Sequence, residues 1–212
     1  MSMSNGFLSQ EEIDSLLNGS DDSSSNTGSN DNSVNLLSDI EKDLLGEIGN
    51  ISMGSASTAL YQIINQKVNI TTPVVSITTL KEIKETFETP TVVLDVEYTS
   101  GIIGRNILII KTEDAAVIAN LMMGGDGIVE NHELSEIEIS AVQEAMNQMI
   151  GSAATSMATM FSREVNISPP ISKIWSNSED ALSSEIPEDQ AIVRVNFRMT
   201  IGNLVDSNIM QI

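Results

Sequence analysis

The sequence predicts an α/β body of two pseudo-twofold-related units, each a long helix followed by strands. The long helices are expected to pack on a β-sheet, with a disordered tail in front. Three observations predict this. The chain matches itself at an offset of 97 residues, each copy opens on a helix-start signal and passes into alternating apolar segments, and residues 18–33 hold no apolar side chain.

Within residues 7–17, Ser9 followed by Glu12 is a capping-box pattern, in which each side chain satisfies a free backbone N–H. Leu8 and Ile13 occupy the positions of a hydrophobic staple across that cap. Ile13, Leu16 and Leu17 then form one apolar stripe on a helix of barely three turns. A helix so short is marginal alone in water and orders when its stripe finds a groove. Residues 18–33 cannot repay the entropy of ordering and read as a flexible linker. As a coil the linker holds the head at an r.m.s. distance of about 20–24 Å.

The body starts near residue 34. Residues 37–73 align without gaps on residues 134–170, and 14 of the 37 positions are identical, among them Ser38/Ser135, Glu41/Glu138, Glu47/Glu144, Asn50/Asn147, Gly54/Gly151 and Pro73/Pro170. Ordinary residue usage would give roughly two. The duplication divides the body into halves at about 34–125 and 131–212. Each copy opens with a capping box, Ser38–Glu41 and Ser135–Glu138. Each helix ends before a Val-Asn-Ile segment that leads into a proline-containing extended stretch. Alternation at Val92, Leu94, Val96 and Tyr98, and at Val193, Val195, Phe197 and Met199, predicts one strand per half. Residues 106–110 and 208–212 predict another each. A helix from about 112 to 123 follows in the first half and stops at Gly124-Gly125. Its absence after residue 212 points to a chain cut from a longer protein or to a bare final strand, an edge open to association. Gly54-Ser55-Ala56 and Gly151-Ser152-Ala153 lie mid-helix, where glycine costs about 1 kcal/mol relative to alanine. The expectation is that these small residues let the two long helices approach closely.

Composition narrows the function. The chain has 30 acidic and 10 basic residues, a net charge of -20. Nucleic acid and anionic membrane surfaces are therefore poor partners, since both are held by Lys and Arg. With no cysteine, disulfides, zinc-thiolate sites and thiol nucleophiles are excluded. His132 is the only histidine and reads as a solvated loop residue. The start is neither basic nor apolar, so no signal peptide is visible. The longest nearly apolar run, 115–123, is interrupted by Asn120 and far short of the ~20 residues of a membrane span. These features read as a soluble, acidic, cytoplasmic protein with no membrane insertion.

Asp43, Glu47 and Asn50 lie at i, i+4 and i+7, within about 60° of helix arc. Leu45, Ile48, Ser52, Ala56 and Ala59 lie opposite, so the polar trio points away from the core. Ser140, Glu144 and Asn147 repeat the spacing, with Val142, Ala145, Met149 and Ala153 opposite. Each half thus presents a carboxylate beside a carboxamide. The commonest fate of such a stripe is a solvated helix face, and a duplicated helix inherits its surface as well. Gly124-Gly125-Asp126-Gly127 is a helix stop, and no Gly-x-x-x-x-Gly-Lys phosphate loop is present.

The pattern Asp/Ser-x-x-x-Glu-x-x-Asn, followed by Gly-Ser-Ala and present twice in an acidic α/β body, resembles the CheC/FliY/CheX phosphatases. These dephosphorylate the chemotaxis response regulator CheY. Residues 8–17 are similar to the N-terminal peptide of flagellar switch proteins that binds phospho-CheY. The resemblance covers essentially the whole chain and implies a CheC-like body. It also implies that a FliN-like C-terminal domain follows in the full-length protein.

By this resemblance Asn50 and Asn147 would hold a water in line with phosphorus, Glu47 and Glu144 would pair with a lysine of CheY, and Asp43 and Ser140 would complete the motif. Leu8, Ser9, Glu12, Ile13, Leu16 and Leu17 would form the CheY-P-binding peptide. No cofactor is expected on this chain, because the Mg²⁺ belongs to CheY. The implied partners are CheY-P and the switch-ring proteins FliM, FliN and FliG, at the cytoplasmic face of the flagellar basal body. Two other readings stay open: a non-catalytic FliM-like rotor scaffold, and a binding module that only sequesters phospho-CheY and slows its loss of phosphate.

Overall fold

The computed structural model describes residues 36–86, 90–176, 182–183 and 185–212. The expected head helix and linker lie outside the described residues. The body starts with α1 (Asp39–Ile64), β1 (Val68–Thr79), α2 (Leu80–Thr86), β2 (Thr91–Ser100), β3 (Gly104–Lys111) and α3 (Thr112–Met122). The second half supplies α4 (Glu136–Phe161), β4 (Asn166–Ile167), β5 (Ile171–Trp175), β6 (Ala191–Ile201) and β7 (Val205–Gln211).

Both capping boxes form. Ser38 Oγ accepts from the Glu41 N–H at 3.3 Å, while the Glu41 carboxylate accepts from the Ser38 N–H at 2.7 Å. Ser135 and Glu138 repeat the exchange at 3.4 and 2.8 Å. The bonds from Ser38 and Ser135 hold the Glu41 and Glu138 carboxyls below the usual carboxylate range. Each long helix ends on a residue in the left-handed conformation, Asn65 and Ser162, the latter without the glycine usual there.

The strands form one antiparallel sheet in the order β1-β6-β7-β3-β2-β4, with β5 also on β2. The order is nearly palindromic because the halves exchange strands. β1 of the first half pairs along β6 of the second, and β4 and β5 of the second pair along β2 of the first. β3 meets β7 at the centre. The expectation that the last strand is an open edge is therefore corrected. β7 lies between β6 and β3, and Ile212 exchanges both backbone hydrogen bonds with Ile107 at 2.9 Å.

One sheet face carries α1, α3 and α4 over a core that includes Leu60, Leu94, Leu108, Met146, Met149 and Phe197. Alternating apolar residues such as Val92, Leu94 and Val96 ordinarily leave the opposite face of an antiparallel sheet to solvent. Instead Val93, Ile107 and Ile109 pack there with Leu80 and Ile83 of α2, Trp175 and Leu182 in a second, smaller core. This explains why β2 is buried at four successive positions. The seven-residue α2 is too short for helical periodicity to register and was not expected from the sequence.

α1 and α4 pack side by side, and Ser152 Oγ donates to the Ser55 carbonyl at 3.1 Å. The packing role expected of Gly54 and Gly151 is corrected: a Cβ added at either meets nothing within 4 Å. At the approach Ser152 and Ser55 meet through that hydrogen bond, and the next residue on each helix, Ala56 and Ala153, is buried. The helical glycine that does meet a crowded neighbour is Gly49, whose added Cβ would lie 3.0 Å from Phe197 Cζ.

Candidate functional site

The cap at Ser38 starts α1 so that its buried row, Ser52, Met53, Ala56, Ser57, Leu60 and Ile64, faces the core. Asp43, Glu47 and Asn50 then fall on the exposed face, together as the spacing predicts. They line a groove of about 540 Å³ with Asp39, Lys42 and Gly46. Its other wall is Pro73, Val74 and Val75 of β1. Pro73 has no N–H to give to a ladder and sits where the β1–β6 register slips, between Thr71 and Val74, on an edge strand that tolerates it. Gly46 keeps the groove open, since an added Cβ would lie 3.7 Å from Val75 Cγ2. Lys42 reaches Asp39 at 3.7 Å, an exposed i,i+3 pair of little energetic weight.

The repeat of this site on α4 brings Ser140, Glu144 and Asn147 together but surrounds them differently. Gln143 stands where the first half has Gly46. It donates to the Pro170 carbonyl and accepts from Ser172 Oγ, both at 2.8 Å, so a side chain fills what Gly46 leaves open. Ser140 turns its hydroxyl back to the Glu136 carbonyl at 2.9 Å. Gln148 donates to Glu144 Oε1 at 2.8 Å, where the first half has Ile51. Asn147 is half-buried and Asn50 exposed. Neither carboxamide, nor the Glu47 carboxylate, is hydrogen-bonded to another side chain among the described residues. Each amide therefore keeps a donor and an acceptor available, as orienting one water molecule requires.

The strand walls and Gln143 were not picked out from sequence, whereas Gln148, standing where the first half has Ile51, marks the two surroundings as different in the sequence alone. The Pro73/Pro170 identity, at the same distance after each Asn, was the signal that could have found the walls. The residues of the expected head peptide lie outside the described residues. His132 is exposed, as expected. Among the described residues no cluster of three or more His, Asp or Glu side chains is placed to hold a metal ion, and no helix is long and apolar enough to cross a membrane.

Residues 40–77 and 137–174, the two repeats with their stripes and proline segments, match the CheC-like family. Over 99% of its length the chain is 48% identical to the flagellar motor switch phosphatase FliY of Bacillus subtilis, of which it spans 55%. The crystal structure of Thermotoga maritima FliY superposes with a TM-score of 0.77 at 44% identity, over 83% of this chain and 90% of that one. The middle domain of FliM from H. pylori shares the fold at 15% identity, with a TM-score of 0.67 over 82% of this chain and 91% of that one. Two matched repeats, and likeness in sequence and structure over most of a solved relative, together place the protein: the chain belongs to the CheC-like family.

Proposed function

We propose that this chain hydrolyses the aspartyl phosphate of a CheY-type response regulator at the flagellar motor switch. The observation that carries the reading is the free carboxamide beside an exposed carboxylate, Asn50 with Glu47, at the mouth of a groove. Asn147 and Glu144 repeat the residue pair on α4, where Gln143 fills the space and Gln148 engages the carboxylate. An aspartyl phosphate is an acyl phosphate that already hydrolyses unaided, so no protein nucleophile is needed. What accelerates it is position: a carboxamide that donates to one group and accepts from a water holds that water in line with phosphorus. Asn50 and Asn147 take this role. Glu47 and Glu144 pair with the lysine beside the regulator's phosphoaspartate and fix its docking. The Mg²⁺ of the reaction arrives on the regulator as part of the substrate.

A rise of about 10²-fold in rate asks for about 2.7 kcal/mol, within what positioning supplies. The expected head peptide at residues 8–17 raises the local concentration of phosphorylated regulator through its tether. The name of the B. subtilis relative supports a place at the motor switch; FliM, FliN and FliG are the proposed partners there, at the cytoplasmic face of the motor.

The test is phosphate release from CheY, phosphorylated by acetyl phosphate with Mg²⁺, with and without this chain. Acceleration at substoichiometric protein supports the reading. Binding without acceleration would leave a docking scaffold, and slower release a sequestering module.

A further inference from the structure

α1 carries an exposed apolar row beside its polar stripe. Ile40 is 80% exposed, Leu44 60% and Ile51 42%. At 100° per residue the three fall within about 40° of arc, starting roughly 20° beyond Glu47. An aliphatic row so open on a helix whose opposite face is fully packed gains nothing from the fold of the chain that bears it. The repeat on α4 keeps only the first member, Ile137, at 72% exposed; Ala141 stands for Leu44 and Gln148 for Ile51. The same Gln148 ties up Glu144. Apolar row, unengaged Glu47 and open groove therefore all occur in the first half, and all three are altered in the second.

We infer that Ile40, Leu44 and Ile51 form the surface on which the phosphorylated regulator docks, so that the first site binds its substrate more tightly than the second. This rests on the reading given under Proposed function and deepens it. The occupant is a receiver domain that offers a cationic group and an apolar patch next to its aspartyl phosphate. Continuity commits the surface to it, because the row begins about 20° round the helix from Glu47, the carboxylate that pairs with the regulator. Charge agrees: Asp43 and Glu47 border the row, and Lys42, the cation lining the groove, is turned to Asp39. Burying a single side chain of the row on docking is worth about tenfold in affinity, so the two members that differ between the sites set at least that gap.

The test separates the sites. In an Asn147→Ala background, where the first site works alone, Leu44→Ala with Ile51→Ala removes two members of the row and adds no side chain that could engage Glu47. KM for phosphorylated CheY should rise about tenfold, with kcat falling less than twofold. In an Asn50→Ala background, Ala141→Leu should lower KM. An unchanged KM in the first background overturns the docking surface while leaving the phosphatase reading intact. If the unsubstituted chain fails to accelerate phosphate release, the phosphatase reading falls instead. Titration with beryllofluoride-activated CheY then decides the surface: weaker binding on Leu44→Ala with Ile51→Ala supports it and equal binding overturns it.

Discussion

Ser152 donates its hydroxyl proton to the carbonyl of Ser55, its own counterpart in the other repeat. The two long helices therefore meet at residues related by the pseudo-twofold operation, and the bond marks where the axis passes. Ser152→Ala should cost about 0.5–1.5 kcal/mol, read as a fall in Tm of a few degrees. Ser152→Leu, which forces bulk into the contact, should cost more. Equal Tm values for Ser152→Leu and the unsubstituted chain would show that the contact is not tight.

Gly54 and Gly151 make the opposite case. Space surrounds both, so alanine at either position recovers helix propensity without a clash, and each change should stabilise by about 0.5–1 kcal/mol. Gly49→Ala should destabilise instead, because the new methyl meets the ring of fully buried Phe197. Denaturant unfolding of the three variants checks the order; a loss at Gly54 would restore the packing role.

Asp114, in the first turn of α3, is buried and accepts a hydrogen bond from Ser207. Burial is the larger effect, outweighing that bond and the nearby Lys111, and raises its carboxyl above the usual value. A carboxyl raised on folding stabilises most where both states hold the proton, below the ordinary carboxylate pKa. That contribution drains away as pH rises through the raised value. Asp114→Asn cannot ionise and should melt higher than the unsubstituted chain at pH 7, with the gap closing toward pH 4. A gap independent of pH would mean that ionisation at this position does not matter.

For the proposed chemistry, Asn50→Ala and Asn147→Ala should each reduce phosphate release from CheY, and the double variant should lower kcat/KM roughly 10²-fold with an unchanged far-ultraviolet circular dichroism spectrum. Full activity in the double variant would remove the carboxamides from the mechanism.

Deletion of residues 1–17 should raise KM for phosphorylated CheY and leave kcat close to that of the whole chain, since a tethered peptide acts through local concentration. An unchanged KM would take the head out of the account.

What could be read in advance follows from the range of the interactions concerned. Capping at Ser38 and Ser135 is settled within four residues, and the polar stripes within two turns, so both were legible. The Asp43–Glu47–Asn50 trio sits where its spacing puts it. The wall across from it does not follow from α1 at all, because it depends on how Pro73 shifts a strand that pairs with residues from the other end of the chain. The same holds for Gln143: nothing local says that its amide will bridge Pro170 and Ser172. Gly54 and Gly151 were misread because a small residue in a helix looks the same whether it serves a contact or faces open space.

The exchange of strands between halves also governs how the body is made. Val68 finds its neighbour in Ile201, and Thr91 in Trp175, so during synthesis neither half can finish a sheet before the other exists. Such non-local pairing folds slowly and leaves strand edges waiting. The same geometry makes one repeat equivalent to half of a dimer in which two identical chains lend each other a strand. Duplication within one polypeptide turns that encounter from a second-order event into a first-order one, and frees each copy to drift on its own, as Gly46 and Gln143 have.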